Sequence, residues 1–424
     1  MRKAVPTVAI ALALAGAATL WVGYRPQLFS PFAGVRQPIS PSKFQLSKQC
    51  PPSFELVDGY SCRFRSLYQL YAANPGGGGL RVSLPPLADG FSPQQIDLGR
   101  YLFFDPLLSR NHDLSCATCH QPDRGFSDGR ARGARSGGGA QGRGGPPPSR
   151  RRAPTLWNSG FLRNLFWDGR AHSLVEQAQG PLFAADEMAN SRERLERELN
   201  ESRDYRQLFS QAFGSELQTG ITLPLVIRAL SAFESTLISL NSRYDRYAHG
   251  DDEALTEQEK RGLNIFRGVT LSCSQCHTPP LFTNDELEVT GIANAPGLPF
   301  DPGAGGVAAT REFLGAFRTP TLRNIARTAP YMHAGQLSSL TDVVRFYNDR
   351  PGHAAPPGVH LKIDWRMALR RPVLSEQDIQ DVVAFMLTLT DETMAPEVPA
   401  QVPSGLPVVR LPMVGQQAQA VARQ

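Results

Sequence analysis

The chain has 424 residues, 41% hydrophobic and 20% charged, enough apolar content for the cores of two or three ordinary domains. Its formal charge of +5 comes from 39 arginines and five lysines against 39 acids, with no sustained basic block. The run Arg150, Arg151, Arg152 is too short for a nucleic-acid stripe and reads as a solvated loop, so composition excludes a disordered chain and argues against a nucleic-acid partner.

The N-terminus, MRKAVPTVAIALALAGAATLWVGYR, carries Arg2 and Lys3 ahead of an apolar stretch from Ala4 to Gly23, the pattern of an export signal. Ala15-Gly16-Ala17 offers a cleavage site. About 20 apolar residues ending in Trp21 and Tyr24 would equally span a bilayer as an uncleaved anchor. The expected location is the periplasm, free or tethered to the inner membrane. In that oxidising compartment Cys50 and Cys62 are expected to close a small structural loop as a disulfide. A Pro/Ser-rich stretch before them and Gly76 to Gly79 after them mark residues 26–90 as an extension and linker behind a 1–25 leader.

The first strong helix opens at Ser92-Pro93-Gln94-Gln95, with Ser92 as N-cap, Pro93 as first helical residue and Gln95 as capping-box partner, and runs through IDLGRYLFF. Similar starts occur at Thr256-Glu257-Gln258-Glu259 and Ser375-Glu376-Gln377-Asp378. Apolar spacing is helical in each and strand alternation is scarce, so the expected class is mainly α. The first two helices each precede a Cys-x-x-Cys-His run: Cys116, Cys119, His120 and Cys273, Cys276, His277. Further along, RAPTLWN (Arg152 to Asn158) matches RTPTLRN (Arg318 to Asn324) at an offset of 166, and WDGRAHSL falls on HAGQLSSL at the same offset. Two related modules, 91–240 and 241–395, are therefore expected, followed by a disordered Pro-rich tail, 396–424.

In a Cys-x-x-Cys-His run both thiols bond the vinyl groups of a haem while the histidine meets its iron. A structural zinc site is the competing reading, but each run would need partners from elsewhere. Candidates for the second haem's other ligand are Met332, His333, Tyr347, His353 and Met367. Between His120 and Trp167 there is no His, Met, Tyr, Lys or Cys; only His112, His172 and Met188 stand nearby in sequence.

LGRYLFFDPLLS, RAPTLWNSGF, FWDGRA, QAQGPL and DEM, then FRTPTLRN, APYMHAG and VVRFYN, resemble the bacterial di-haem cytochrome c peroxidase and MauG family over about 91 to 390. The resemblance implies two tandem cytochrome-c-like haem domains, an N-terminal peroxidatic one and a C-terminal electron-transfer one, with two covalently bound haem c. It places Trp167 between the haems, and Gln177 and Glu187 in the distal pocket where peroxide binds, with Glu187 handling the peroxide proton. The iron-ligand position of the second haem, methionine in the reductively activated peroxidases and tyrosine in MauG-like enzymes, is Tyr347. Its bland alternative is a buried aromatic on the helix face shared by Leu340, Val343 and Val344. By the 166 offset Tyr347 falls on Pro181, which has no ligating side chain, so one haem is expected closed and the other open. The resemblance also implies calcium held by the carbonyls of Thr328 and Pro330, although Arg152 stands where the family has asparagine and would oppose the ion.

The function implied is hydrogen peroxide cleavage at the open haem, giving a high-valent state that oxidises residues, such as tryptophan, of an exported partner protein. The segments CPPSFELVDGYSCRFRSLYQLYAANPGG and LPPLADGFSPQQIDLG further resemble the di-haem member of systems paired with a small copper-binding protein. The alternatives are a peroxide-reducing enzyme fed by a small cytochrome or cupredoxin, and a passive di-haem electron carrier.

Overall fold

Helix starts fall where capping chemistry satisfies the first unpaired amides. In this computed structural model, which describes residues 42–65, 84–133, 150–269, 271–349, 355, 358–364, 374–391 and 396–409, Ser92 Oγ accepts from Gln95 N at 3.1 Å and the Gln95 side chain accepts from Ser92 N at 3.1 Å. Thr256 with Glu259, and Ser375 with Asp378, make the same reciprocal pair. The leader, the 134–149 loop, His353 and Met367 lie outside the described residues.

The extension holds a two-stranded antiparallel hairpin, β1 (Phe54–Val57) and β2 (Ser61–Phe64), closed by the expected Cys50–Cys62 disulfide. The main helices follow in order: α1 (Pro93–Phe104), α2 (Cys116–Cys119), α3 (Leu174–Gln177), α4 (Gln179–Phe183), α5 (Arg192–Glu201), α6 (Arg203–Phe213) and α7 (Leu223–Glu234). In the second half come α8 (Glu257–Arg267), α9 (Cys273–Cys276), α10 (Leu340–Asp349) and α11 (Glu376–Leu387). Among the described residues none is long and apolar enough to cross a membrane.

Each half is built on one helix crossing: α1 against α7, and α8 against α11. Each crossing is made possible by a glycine. A Cβ on Gly99 would stand 1.8 Å from the Ala229 carbonyl oxygen, and one on Gly262 would stand 1.8 Å from that of Asp381. Around the first crossing Leu98, Leu102, Phe103, Val226 and Phe233 form a core; around the second, Leu263, Phe266, Val382 and Phe385 do so.

The duplication extends to individual hydrogen bonds. Thr155 Oγ1 donates to the Gly125 carbonyl and Thr321 Oγ1 to that of Leu281, both at 2.6 Å. Leu165 bridges to Ala171 as Tyr331 bridges to Leu337. Asn158 and Asn324, the last residues of the matching heptapeptides, converge on Ser239 between the halves: Asn158 Nδ2 on its carbonyl at 3.0 Å, Asn324 Nδ2 on its hydroxyl at 2.7 Å.

The tail departs from its expected disorder over residues 396–409. Val402 is fully buried in the first core, and the Ser404 hydroxyl donates to Asp105 Oδ1 at 2.7 Å, while Tyr205 donates to the other oxygen at 2.6 Å. Prolines remove backbone donors but not apolar side chains, and the tail's valines and leucine meet a ready surface.

Because the Gly262 crossing leaves no room for a methyl group, Gly262→Ala should lower the unfolding free energy in denaturant titration by at least about 1–3 kcal/mol. Gly133→Ala, where nothing lies within 4 Å, should leave it unchanged.

Candidate functional site

Two clefts share Arg152, Trp167 and Arg318 in their linings. Cys119, the last residue of α2, and His120, just after it, line the first, whose empty space of about 900 Å³ includes open solvent. Cys273, Cys276 and His277, from α9, line the second, of about 1470 Å³ and likewise partly open. Cys116 opens the turn whose carbonyl accepts the His120 amide at 2.9 Å. His120 Nδ1 is 3.0 Å from the Phe126 carbonyl oxygen, and His277 Nδ1 is 3.1 Å from that of Phe282. A carbonyl accepts only from a protonated Nδ1, which leaves the Nε2 lone pair for a metal. Burial pushes both imidazoles below their ordinary pKa, His277 to about 4, against the pull of nearby carbonyls. Neutral rings are ligating rings.

None of the four motif cysteines is in a disulfide. A metal-ready imidazole on the wall of each mainly apolar cleft, with Cys119 beside it in the first and Cys273 and Cys276 in the second, fits a covalently attached haem and not a closed tetrahedral zinc site. Among the described residues no cluster of three further acid, histidine or cysteine ligands exists.

The first cleft also gathers Gln177 at the end of α3, Pro181 in α4 and Glu187 in the turn beyond it. Burial, with Asp186 beside it, raises the Glu187 carboxyl to about 7, against the lowering pull of Arg170. The nearby alternatives are elsewhere. His112 pairs with Glu198 at 3.0 Å, exposed His172 is 3.0 Å from the Arg163 carbonyl, and Met188 is packed in the first core. None of the three lines the cleft.

Tyr347, Met332 and His333 share the second cleft with His277. His333 is committed to other contacts: its ring stacks on Phe317 at 3.8 Å and its Nε2 meets Gln336 at 3.2 Å. Burial, and then the Cys276 and Cys273 sulfurs, push the Tyr347 phenol upward, so it ionises only with a cation facing it.

Trp167 lines both clefts, and so do Arg152 and Arg318. The indole Nε1 donates to the Arg152 carbonyl at 3.0 Å. Two backbone bonds then cross between the halves: Arg152 N donates to the His333 carbonyl at 2.9 Å, and Arg318 N to the Trp167 carbonyl at 2.8 Å. Both donors and both acceptors are related by the 166 offset, so the bridge is a pseudo-two-fold exchange.

The solvated-loop reading of Arg150 to Arg152 therefore fails for its last two members. Arg151 makes ion pairs with Asp168 at 2.6 Å and Asp301 at 2.8 Å, and Arg152 is 6% exposed. A run of three arginines looks hydrophilic until its acceptors, distant in sequence, are brought to it. Burial lowers Arg152 to about 10, with Asp128 and Tyr331 acting against that, which leaves it a cation at neutral pH. Calcium does not fit beside it. The Thr328 carbonyl, one of the two expected ligands, already accepts from Arg152 Nη2, and Pro330 lines neither cleft. The arginine heading each matching heptapeptide was the sequence signal for the bridge.

Two haem c pockets joined by a shared tryptophan define a di-haem c-type oxidoreductase. The family model described as di-haem cytochrome c peroxidase matches residues 93–253. The chain is 38% identical over 321 residues to the methylamine utilization protein MauG of Methylorubrum extorquens, covering 74% of this chain and 83% of that one. It is 34% identical to the cytochrome c551 peroxidase of Pseudomonas aeruginosa, covering 73% and 82%. The crystal structure of a MauG-like protein associated with microbial copper homeostasis superposes with a TM-score of 0.66 at 30% identity, covering 76% of this chain and 97% of that one. The protein belongs to the di-haem cytochrome c peroxidase and MauG family, a family of oxidoreductases with two c-type haems.

If Glu187 is the base that takes the peroxide proton, it works only when ionised, and the rate of reaction with peroxide in stopped flow should rise as pH increases through about 7, the value to which burial raises Glu187. Glu187→Gln should remove that inflection and slow the step by about 100-fold or more while both haems stay attached.

Proposed function

We propose that the protein uses hydrogen peroxide to oxidise side chains of an exported partner protein, tryptophan among them, and that its two clefts divide the work. The observation that carries this reading is their asymmetry: the first cleft holds Gln177, Glu187 and, at the position where the second holds Tyr347, Pro181. Peroxide takes two electrons and two protons to become two waters, and the partner side chain gives up the two electrons. When bound, the haems would supply the O–O cleavage and hold the two oxidising equivalents until the partner is oxidised.

Glu187 would accept the proton of the nearer peroxide oxygen and return it to the farther one, so that water departs, with the Gln177 amide orienting the pair. Both residues line the cleft of His120, and the Glu187 pKa near neutrality suits a group that must both take and give a proton. Trp167, buried between the clefts, would carry one oxidising equivalent from the first to the second. Tyr347, which lines the second cleft with His277, would be the residue to hold that haem's iron; as a tyrosinate it would favour the higher oxidation state, where a methionine would favour Fe(II). That disposition suits storing oxidising power more than receiving electrons from a reduced donor.

The MauG-like relative's association with copper homeostasis supports a copper-binding protein as partner. The export signal supports a periplasmic location, with the leader cleaved or kept as an anchor.

Met332 in the second cleft favours one competing reading, a hydrogen peroxide-reducing enzyme fed by a small cytochrome or cupredoxin. Tyr347→Phe separates the two. If Tyr347 is the ligand, the variant shifts the optical and electron paramagnetic resonance signals of one haem only and loses partner oxidation. Unchanged spectra, together with rapid steady-state turnover on reduced donors, would instead establish the donor-fed enzyme. A resting ferric protein with one high-spin signal is expected; two six-coordinate low-spin haems would point to a passive carrier.

A further inference from the structure

Arg152 meets more of the bridge than any other residue at the site. Its amide holds the His333 carbonyl of the second half at 2.9 Å, and its carbonyl holds the Trp167 indole at 3.0 Å. Its side chain reaches Ser127 Oγ in the first half at 2.7 Å and the Thr328 carbonyl in the second. Ser127 Oγ in turn donates to the Ala153 carbonyl at 2.9 Å, which locks the backbone on either side of the guanidinium. The side chain is 6% exposed and lines both clefts.

Its counterpart by the 166 offset, Arg318, also lines both clefts and is 5% exposed. Arg318 also reaches across the halves, its Nε donating to the Phe166 carbonyl at 3.4 Å and its Nη1 to the Thr319 carbonyl at 3.4 Å, with Asp285 at 4.0 Å. Arg152 reaches the other way, to the Thr328 carbonyl of the second half, and adds Ser127 Oγ at 2.7 Å. Around the Arg152 guanidinium stand the Thr328 carbonyl, the Ser127 hydroxyl and the Asp128 carboxylate, oxygen groups that would suit a cation, and the cation found there is a side chain.

We infer that the Arg152 guanidinium is the resident cation of the bridge: it occupies the carbonyl environment an exchangeable divalent ion would use, fixes the halves on either side of Trp167, and makes electron exchange between the haems independent of calcium. A guanidinium has directional N–H donors and no exchange with solvent, whereas calcium needs six to eight oxygens at about 2.3–2.6 Å and leaves under chelation. The covalent cation is a positioning group. It acts through the indole that its carbonyl holds. The inference rests on the two-haem reading but not on the identity of the substrate.

The test uses the holoprotein, dialysed against a chelator and then titrated with calcium chloride. Metal content is read by atomic emission, and electron exchange between the haems by flash reduction with optical detection. The wild type should hold no stoichiometric calcium, and its exchange rate and spectra should be the same with chelator or calcium. Arg152→Asn frees the Thr328 carbonyl and adds an amide oxygen. It should bind one calcium per chain, and its exchange rate should fall by at least about tenfold on chelation and recover on calcium addition. Arg152→Lys should stay calcium-free and retain chelator-insensitive exchange.

Stoichiometric calcium in the wild type, with exchange lost on chelation, would overturn the inference. So would an Arg152→Asn protein that binds no calcium yet exchanges electrons at the wild-type rate. Should that variant fail to fold, the wild-type calcium and chelator measurements with Arg152→Lys still decide. Failure of the partner-oxidation reading would show separately, as absent peroxide-driven oxidation in a protein whose calcium results stand as expected.

Discussion

The reciprocal backbone exchange between the halves, Arg152 to His333 and Arg318 to Trp167, is the constraint on which the site depends. A tryptophan that serves two clefts must keep its position relative to both, and one hydrogen bond from each half gives it no freedom to follow either alone. The indole donor is itself used up on the Arg152 carbonyl, which sets the ring's rotation. Buried polar groups stay where they are because leaving a donor unmet inside the protein costs about 1–3 kcal/mol.

The rest of the fold can be understood as support for that exchange. Each half is a helix crossing tight enough to require glycine, and each delivers one Cys-x-x-Cys-His turn whose histidine is fixed by a carbonyl. Asn158 and Asn324 meet at Ser239, so the two halves are registered against each other at a second point. Symmetry of the scaffold and asymmetry of the chemistry coexist because the differences are confined to side chains: Pro181 against Tyr347, and Trp167 against His333.

The parts legible in the sequence were those whose chemistry is local. Caps at Ser92, Thr256 and Ser375 bond within a single turn, and the haem motifs place thiols and imidazole within five residues. The repeat was legible as well, since the offset of 166 that relates the heptapeptides also relates the Leu165–Ala171 bridge to the Tyr331–Leu337 bridge and the two backbone bonds between the halves. His112, His172 and Met188 could not be dismissed from sequence, because only their partners, Glu198, the Arg163 carbonyl and the first core, show that they are engaged elsewhere. The buried arginines and the seated tail were misread for one reason: polarity and proline content describe a segment alone, and burial depends on what it meets.

By itself, then, the amino-acid sequence determined a mainly helical, duplicated chain with two haem-attachment turns, since each of these is specified by residues close enough to bond one another. The tertiary structure decided that Gln177, Pro181 and Glu187 share one cleft, that Tyr347 shares the other, that Trp167 lines both, and that the Arg152 guanidinium meets the Thr328 carbonyl. These contacts join residues as distant in sequence as Arg152 and Thr328, 176 positions apart, and no local pattern encodes which carbonyl will turn to meet which arginine.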